Sequence, residues 1–309
     1  MSLTEVYDVI SIGAVLIDMI AQVDEFPEKD SEAFVREFQM LPGGAAANVA
    51  VLCSRLGLKT AFSGKIGNDY FGTMLRDDLQ KEGVHIDDTL IISEQTHTGS
   101  CYICVDNSGE RIILAYSGAA DTITPEELPV EFFSKAKWVS LSDLRNVSAI
   151  EALLESEVEI NFALSPGALI AQNPSRAFRL AQHANLLVAS QREFGQIFRC
   201  TEEEISEVAS NFAREKKGRI IAVTKGKEGA MLFSYKERLT IPSFNVQVRD
   251  TTGAGDAFTA GMLYGLIRQR ALKEVGRIAA ACSAICIQEI GARSGPQTRR
   301  ELLKFLRKN

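Results

Sequence analysis

Asp250-Thr251-Thr252-Gly253-Ala254-Gly255-Asp256-Ala257-Phe258 joins a loop of small residues directly to a helix and places a carboxylate, Asp256, at the junction. Small and apolar residues then recur at helical spacing through Gly261 and Gly265. The first amides of a helix have no internal partners and lie at the positive end of its dipole, so this corner suits a phosphate or an oxyanion. A fixed carboxylate would repel phosphate unless it accepts a proton from a hydroxyl that attacks the phosphorus. The combination indicates phosphoryl transfer.

A second polar motif begins another helix at Gly43 and Gly44, which leave backbone amides open to a ligand's hydroxyls. Asn48 is the one strong hydrogen-bonding side chain in the apolar turn that follows, and a buried Asn needs partners. Asp18 stands at the end of an apolar run after the first strand. Together these groups suit the hydroxyls of a sugar. Taken singly, Asp18 could cap a turn and Asn48 could satisfy a core backbone group.

Strand-like and helix-like segments alternate along the chain, which predicts an α/β fold with a mostly parallel sheet covered by helices on both faces. Ligands of such folds bind at the carboxyl ends of the strands. The predicted strands are Tyr7–Ile12, Lys137–Leu141, Val158–Leu164, Ala184–Ala189, Gly218–Val223 and Ala230–Ser234. The predicted helices cover about 44–56, 69–82, 174–183, 201–216, 253–269 and 272–289.

Two segments, about 15–40 and 94–118, interrupt the alternation with further strand-like pieces. The second predicts a hairpin of Cys101–Val105 and Arg111–Tyr116 around a turn at 107–109. We expect these pieces to form a small β-sheet lid over the site. With no linker or repeat in 1–309, the sequence predicts a single domain. The strand edges of the lid could pair with a second copy, giving a homodimer.

Composition excludes several classes of protein. The 309 residues are 46% hydrophobic, enough for a large core, and the net charge of −6 argues against a nucleic-acid partner. No apolar run approaches the ~20 residues of a membrane span, and no secretory signal is apparent, so we expect a cytoplasmic protein. The six cysteines are expected to be buried, reduced thiols, and Cys101 and Cys104 should point to opposite faces of a strand.

The motifs resemble those of the ribokinase/PfkB family of carbohydrate and nucleoside kinases over nearly the whole chain. They are Gly43-Gly44-x3-Asn48, Gly64–Gly72 with Gly83-Val84, Val223-Thr224-Lys225-Gly226, and Asp250–Phe258. A P-loop of the form GxxxxGK[ST] is absent from the sequence. The resemblance implies a ribokinase-like three-layer α/β/α fold with a small β-sheet lid and transfer of the ATP γ-phosphate to a substrate hydroxyl.

The resemblance also implies roles for individual residues. Asp256 matches the catalytic base, and Gly253, Ala254 and Gly255 match the anion hole. Asp18, Gly43, Gly44 and Asn48 match substrate-binding positions, and Thr224, Lys225 and Gly226 match the nucleotide loop. Glu193 matches an acid that acts on Mg²⁺ through water. A monovalent-cation site, for K⁺, is implied at Asp250 and Thr252, with the backbone near Cys286, Glu289 and Gly291 and with the Ser294 side chain. From the helix dipole alone, we expect the ionised form of Asp256 to be favoured.

Two positions depart from the family pattern. Ser190 stands where members usually carry the Asn of Asn-x-x-Glu, which bears on how the metal's water shell and the phosphates are held. Ile278–Ala281 replaces a region that often carries an Asn near the adenine, so apolar contacts are expected there.

The leading hypothesis is a kinase for a free sugar or sugar acid, of the ribose, fructose or 2-keto-3-deoxygluconate type. A nucleoside kinase is the nearest alternative, with Phe34, Tyr102 and Tyr116 as candidates for an aromatic clamp. A sugar-phosphate substrate is disfavoured, because Lys65 and Arg111 form no basic cluster in the sequence. A non-catalytic sugar or nucleotide sensor is the alternative of a different class, supported by Ser190 alone.

Overall fold

The structure is a computed structural model that describes residues 6–87, 89–108, 110–156 and 159–309. The strands are β1 (Tyr7–Gly13), β2 (Leu16–Gln22), β3 (Glu37–Gly43), β4 (Thr60–Gly67), β5 (Leu90–Ser93), β6 (Gly99–Val105), β7 (Arg111–Tyr116), β8 (Ala136–Ser142), β9 (Phe162–Ser165), β10 (Leu186–Ser190), β11 (Ile220–Thr224), β12 (Ala230–Ser234) and β13 (Arg238–Ile241). The α-helices are α1 (Ala45–Arg55), α2 (Tyr70–Lys81), α3 (Val130–Phe133), α4 (Ser148–Leu154), α5 (Gly167–Ala171), α6 (Pro174–His183), α7 (Gln191–Phe198), α8 (Ile205–Glu215), α9 (Ala254–Ile267), α10 (Leu272–Cys286) and α11 (Arg299–Lys308).

The main sheet has nine strands within the described ranges, in the order β13-β12-β11-β10-β9-β8-β1-β4-β5. The pairs from β5 to β11 are parallel, and β12 and β13 add an antiparallel edge. The predicted, mostly parallel sheet is therefore confirmed. Since the parallel strands all end at one edge, the loops that follow them converge there.

Helices cover both faces of this sheet because its strands are apolar on both sides. Along β10, Leu187 packs into one core cluster with Phe194, whereas the next residue, Val188, packs into a second cluster with Leu263. Successive residues of a strand point to opposite faces, so this alternation places one core on each side. The three-layer α/β/α arrangement predicted from the resemblance is confirmed.

Helix α9 carries Asp256 in its first turn and is buried along most of its length against α10. A Cβ built on Gly261 would lie 2.6 Å from the Cα of Ala279 in α10. Only glycine permits this close approach, which explains the small-residue face that the sequence showed. The start of α9 is thereby held rigidly over the carboxyl edge of the sheet.

A separate sheet of order β3-β2-β6-β7 stands off the main domain, formed by the two segments predicted as the lid. Strand β2 pairs with β3 antiparallel and with β6 parallel, and β6 pairs with β7 as the predicted hairpin. Gly109, in the predicted turn, lies outside the described residues. The lid exposes Phe38, Tyr102 and Leu114. Dimerisation through the lid stays a prediction.

Several predicted boundaries need correction. The strand predicted for Val158–Leu164 begins at Phe162, where pairing with Val139 starts, and Val158 lies outside the described residues. The helix predicted for 201–216 begins at Ile205, because residues 202–204 form a turn closed by a hydrogen bond from Thr201 N to Glu204 Oε2. The helix predicted for 272–289 ends at Cys286.

Two further sequence expectations concern membranes and cysteines. No helix among the described residues is long and apolar enough to cross a bilayer. All six cysteines are free thiols. Cys53, Cys282 and Cys286 are buried as expected, but the other three are only partly buried, which corrects the expectation that all six lie in the core.

Candidate active site

The carboxyl edge of the main sheet opens into a cavity of about 380 Å³. Its polar lining comes from the residues that follow β8, β9, β10 and β11 and from the first turn of α9. The lining residues used below are Asp143, Ser165, Ser190, Glu193, Thr224, Gly255 and Asp256. A second, shallower cavity of about 750 Å³ shares Ser190 and Thr224 with the first and extends past Lys225 and Gly226.

The corner predicted as an anion hole has the backbone that such a hole needs. Gly253 precedes α9 at φ 77°, and a Cβ there would clash with the carbonyl oxygen of Ala292, so its glycine is required by the fold. Gly255 differs, because a Cβ there would meet no atom within 4 Å. The space beside Gly255 is open, and it adjoins the first turn of α9, whose amides have no partner within the helix. These features fit an anion such as a transferring phosphoryl group.

Asn48 and Asp256 are brought into direct contact across the base of the site. Asn48 Nδ2 donates to Asp256 Oδ2 over 2.8 Å, and Asn48 is only 3% exposed. The buried amide predicted to need a partner therefore finds it in the predicted base. The alternative that Asn48 only satisfies a core backbone group is not what the structure shows.

Asp18 and the glycine pair lie beside this contact. The Asp18 carboxylate packs directly against Gly43, where any Cβ would collide with it. Gly44 has φ 93°, and a Cβ there would meet Val15 Cα at 2.7 Å, so the chain can turn into α1 only with glycine at this position. The predicted substrate residues are thus gathered at one place, between the lid strand β2 and the start of α1.

The electrostatics of Asp256 correct the sequence-based expectation. The pKa of Asp256 is raised to about 7, mainly by burial and also by the nearby Asp143 and Asp18 carboxylates, while the Asn48 hydrogen bond and Arg293 act to lower it. The helix dipole favours the ionised form, but desolvation outweighs it, because the carboxyl is enclosed by protein except toward the cavity. Asp256 is consequently a stronger base than its place on the helix suggested.

Two other carboxyls share this environment. Burial raises the pKa of Asp18 to about 6, opposed by Arg293, and burial raises the pKa of Asp143 to about 6, opposed by a backbone hydrogen bond from Leu169 N at 2.8 Å. Asp143 and Asp256 line the same cavity, and a cluster of carboxyls with raised pKa values at a cavity is typical of a functional site.

Asp143 was missed by the sequence analysis. It follows β8 directly, at the carboxyl edge, and lines the same cavity as Asp256 and Glu193. An acid just past a buried parallel strand was the available signal.

Arg293 and Asp78 were also missed. Arg293 Nε donates to Asn48 Oδ1 over 3.0 Å and Nη2 to the Gly43 carbonyl over 3.2 Å, while Nη1 pairs with the Asp78 carboxylate. The signal in the sequence was a single cation within Gly291-Ala292-Arg293-Ser294-Gly295, an otherwise small-residue loop.

The two nucleotide-side segments meet at the shared wall of the two cavities. Thr224 ends β11 beside Ser190 at the end of β10, and Gly226 turns the chain at φ 56°. Lys225 Nζ pairs with Glu228 Oε2 at 2.8 Å on the surface. Thr224, Lys225 and Gly226 therefore lie together as predicted, next to the open space above Gly255.

Ser190 and Glu193 form a reciprocal cap at the start of α7. Ser190 Oγ accepts from Glu193 N over 3.2 Å, and Glu193 Oε2 accepts from Ser190 N over 2.8 Å. This capping box gives Ser190 a structural reason, because Ser and Asn serve equally well at a helix N-cap. Glu193 still lines the cavity.

The residues of the predicted cation site are only partly brought together. Asp250 Oδ1 accepts from Thr252 N and Oγ1 at 2.9 and 2.7 Å, and Oδ2 accepts from Gly291 N at 2.9 Å. Cys286 Sγ lies 3.6 Å from the Thr252 carbonyl. These groups surround one loop and present oxygen atoms that suit a hard cation.

Glu289 does not join this group through its side chain. Its Oε2 pairs with Arg249 at 2.8 Å on the surface. Ser294 Oγ donates to the Ile290 carbonyl over 2.8 Å. The prediction at Glu289 concerned its backbone, and the cation site stays a prediction.

Side chains of the lid divide between its two faces. Asp18 pairs with Cys101, so these two residues share one face of the lid. Tyr102 pairs with Met19, the residue after Asp18, and therefore lies on the opposite face. Tyr116 pairs with Ser100, the residue before Cys101, and lies on that opposite face as well. The predicted aromatic clamp is therefore wrong for these two residues. Phe34 is 91% exposed in the segment before β3.

Arg111 lies on the same face of the lid as Asp18, since it pairs with Val105 and Gln22. Its Nη1 donates to Thr252 Oγ1 over 3.1 Å, which bridges the lid to the loop before α9. The other candidate cation, Lys65, is occupied by Glu127 at 2.7 Å and by the Thr122 carbonyl.

The carboxylates of the cavity could hold Mg²⁺ together with the phosphates of a nucleotide, but not by themselves. Within the described ranges, no three His, Cys, Asp or Glu side chains are arranged to hold a metal ion. Mg²⁺ in phosphoryl-transfer sites is held by one or two carboxylates together with phosphate oxygens and water. Glu193 and Asp143, on the wall of the cavity, meet that requirement.

Comparisons with known proteins agree with this geometry. Residues 7–299 match the pfkB family of carbohydrate kinases. The chain is 32% identical to an ATP-dependent ribose-1-phosphate kinase of Halopiger xanaduensis, over 93% of this chain and 94% of that protein. It is 27% identical to a nucleoside kinase of Methanothermobacter thermautotrophicus, over 98% and 97%.

Similarity to solved structures extends over the whole fold. A ribokinase of Arabidopsis thaliana, solved with ribose and ATP, superposes with a TM-score of 0.84 at 25% identity, covering 97% of this chain and 99% of that one. The fold, the convergence of Asp18, Asn48 and Asp256, and the family match lead to one conclusion. The protein belongs to the pfkB family of carbohydrate kinases and is a phosphotransferase that acts on an alcohol group.

Proposed function

We propose that the protein transfers the γ-phosphoryl group of ATP to a hydroxyl of a free sugar or sugar acid, with Asp256 as the base. The observation that carries this proposal is the position of Asp256, hydrogen-bonded to Asn48 and next to the open first turn of α9. A hydroxyl held against Asp256 would face a phosphoryl group seated above Gly255.

The sugar is held by groups that lie on three sides of Asp256. Asp18 accepts hydrogen bonds from hydroxyls, the glycine pair offers backbone amides, and Asn48 Oδ1 and Nδ2 are already fixed by Arg293 and Asp256. Asp143 offers a further acceptor on the cavity wall. Several directional acceptors around a cavity of this size suit a polyol better than an apolar ligand.

In the chemical step, the acceptor oxygen forms a bond to the γ-phosphorus as the bond to the β,γ-bridging oxygen breaks and ADP leaves. Asp256 takes the proton of the acceptor hydroxyl. The Gly255 amide, together with that of Ala254, which donates to the Thr251 carbonyl over 3.3 Å, would meet the charge that develops on the transferring group. Thr224, Lys225 and Gly226 border the second cavity and hold the nucleotide beside it.

Metal ions have two positions in this proposal. Glu193 and Asp143 would hold Mg²⁺ through water, and Mg²⁺ supplies neutralisation of the nucleotide phosphates. Oxygen atoms of the Asp250–Thr252 segment and of Gly291 would hold K⁺ beside the first turn of α9. The direct hydrogen bonds of Asp250 already fix that loop, so Asp250 shapes the anion hole through the backbone.

ADP release tests the proposal directly. The purified protein is incubated with Mg²⁺, K⁺, ATP and a panel of pentoses, hexoses, sugar acids, sugar phosphates and nucleosides, and ADP and phosphorylated product are measured. We expect turnover with a sugar or sugar acid. ADP formation with no member of the panel would contradict a kinase and favour the sensor, and turnover with nucleosides alone would favour the nucleoside kinase.

Arg111 favours a second candidate within the same reaction, a sugar that already carries a phosphate. It lies on the inner face of the lid with Asp18 and reaches the loop at Thr252. A guanidinium binds such anions through two parallel hydrogen bonds. We expect Arg111→Met to raise KM at least tenfold for an anionic sugar and to leave KM for its neutral counterpart within twofold. Equal effects on both would exclude this candidate.

A further inference from the structure

Arg293 connects three separate parts of the site from a buried position. Its side chain is 8% exposed and lies in the loop between α10 and α11. Nε donates to Asn48 Oδ1 on α1, Nη2 donates to the carbonyl of Gly43 at the end of β3, and Nη1 pairs with Asp78 on α2. Each of the three guanidinium nitrogens is therefore engaged within the protein, which indicates a structural connection and not direct binding of substrate.

The contact with Asn48 settles which way its amide faces. The two ends of an Asn amide have nearly the same shape, so shape alone does not decide between them. An arginine Nε–H can only donate, so the atom of Asn48 that faces Arg293 must be the acceptor Oδ1. The amino group is then turned toward Asp256 Oδ2, 2.8 Å away, to which it donates. A donor in this position favours an ionised Asp256.

We propose that Arg293 is a positioning residue for the reaction, which orients the Asn48 amide so that Asp256 is held ionised and aimed at the acceptor hydroxyl. This inference rests on the proposed role of Asp256 as the base. In this role Arg293 acts through Asn48 and lowers the affinity of the Asp256 carboxylate for a proton. Its anchor is Asp78, which holds the far end of the guanidinium.

The charges around Asp256 show why one cation matters there. The groups that face Asp256 are Asn48 from α1, Asp18 from β2, Asp143 from the end of β8, Cys286 from α10 and Arg293, with Glu193 from α7 on the same cavity. The carboxyls in this set oppose ionisation of Asp256, whereas the Asn48 amide and the Arg293 charge favour it. Loss of Arg293 should therefore make the base harder to ionise.

Arg55, the last residue of α1, contacts the same loop and provides a matched control. Its Nη1 donates to the Arg293 carbonyl over 2.6 Å, and its guanidinium pairs with Glu82, so it braces the backbone of the loop from the fold side. Arg55 makes no contact with Asn48 or Asp256 among the described residues. A change at Arg55 tests what simple loosening of this loop does.

The first test compares Arg293→Met with Arg55→Met by kcat/KM from pH 5.5 to 9.5. For Arg293→Met we expect the rise of kcat/KM with pH to move up by about 1 pH unit, kcat/KM near pH 7 to fall about fivefold, and most of the loss to be recovered at pH 9. For Arg55→Met we expect the rise of kcat/KM to occur at the same pH as in the wild type. The proposal is overturned if Arg293→Met loses activity equally at every pH, or moves this rise no further than Arg55→Met does.

Asp78→Asn gives a second test with the opposite sign, and it keeps the proposal testable if Arg293→Met does not fold. This change leaves the Arg293 charge uncompensated and removes a negative charge from the network. We expect the rise of kcat/KM with pH to begin at a lower pH than in the wild type. An upward shift, or none, would count against the proposal, because a purely structural role gives no reason for shifts of opposite sign in the two variants.

A measurement without turnover separates this inference from the proposed function. The carboxyl ¹³C resonance of Asp256, assigned by its loss in Asp256→Asn, is titrated in the wild type, Arg293→Met and Arg55→Met. An upward shift confined to Arg293→Met supports the positioning role even if no sugar on the panel is phosphorylated. Identical titrations in all three proteins would refute it even if the kinase reaction is established.

Discussion

Asn48 Nδ2 donates to Asp256 Oδ2 over 2.8 Å, which joins two residues that are 208 positions apart in the chain. Asn48 lies in α1, and Asp256 lies in the first turn of α9. A single hydrogen bond thus connects the group formed by Asp18 and the glycine pair with the open first turn of α9.

Replacing Asp256 by Asn should nearly abolish turnover. The amide keeps the shape of the side chain and can still accept from Asn48, but it cannot take the proton of the acceptor hydroxyl. We expect kcat to fall by about 10²–10⁴ while the sugar KM changes by only a few-fold. Steady-state kinetics with the substrate found on the panel measures both. A variant that keeps more than a tenth of wild-type kcat would refute the base assignment.

The rate should rise with pH through neutrality. The pKa of Asp256 is raised to about 7, mainly by burial, and the base works only when ionised. We therefore expect kcat/KM to climb between pH 6 and 8 and to flatten above. A pH–rate profile in buffers of constant ionic strength measures this. A flat profile from pH 5 upward would mean that Asp256 is ionised far below neutrality or does not act as a base.

Asp256 should also lower the stability of the protein above neutral pH. A carboxyl whose folded pKa lies above its unfolded value of 3.8 holds its proton more tightly in the folded state, so its stabilising contribution is lost as pH rises toward about 7. We expect Asp256→Asn to be more stable than wild type by about 2 kcal/mol at pH 8, since one pKa unit corresponds to about 1.4 kcal/mol and water in the cavity reduces the full effect. Denaturant unfolding at pH 8 and pH 4 measures the difference, which should nearly vanish at pH 4. A less stable variant at pH 8 would contradict the raised pKa.

Gly255→Ala should impair catalysis without harming the fold. The new methyl group meets no atom within 4 Å and occupies the space assigned to the transferring phosphoryl group. Alanine is favoured over glycine in a helix by up to about 1 kcal/mol, so stability should hold or rise. We expect kcat/KM for ATP to fall at least tenfold, measured together with thermal unfolding.

Gly261→Ala is the matched control, one and a half turns further along α9. Its Cβ would lie 2.6 Å from the Cα of Ala279, so this variant should lose about 1–3 kcal/mol of stability. If Gly255→Ala kept full activity, the phosphoryl group would not be seated where we place it.

Ser190 should matter to the helix more than to the reaction. Ser190→Ala removes the hydroxyl that accepts from Glu193 N and should cost about 1 kcal/mol of stability. Ser190→Asn restores the residue usual in the family and keeps the cap, so its stability should match the wild type. Chemical denaturation compares the three proteins. A tenfold or greater gain in kcat for Ser190→Asn would instead show that serine weakens the hold on the phosphates.

Local patterns in the sequence were enough to predict the architecture and most of the site. Alternating apolar segments determined the layered α/β fold, because strand and helix periodicities are local properties of the chain. The Asp250–Phe258 motif predicted the open corner at the start of α9, because small residues at a helix start expose amides wherever the rest of the fold lies. The lid segments were found because they broke the alternation.

Tertiary structure alone decided which groups meet. The pKa of Asp256 depends on burial and on Asp143 and Asp18, which no local pattern places beside it. The register of the lid turned Tyr102 away from the site and Arg111 toward it, because one step along a strand reverses the face. The side chain of Glu289 turned outward to Arg249.

By itself, then, the sequence determined the family, the fold and the corner at Asp256, since each is written in contiguous residues. Only the tertiary structure decided that Asn48 is held between Arg293 and Asp256, since those contacts span 245 and 208 residues of chain. The physical reason is that hydrogen bonds and desolvation act through space, over a few ångströms, regardless of separation along the chain.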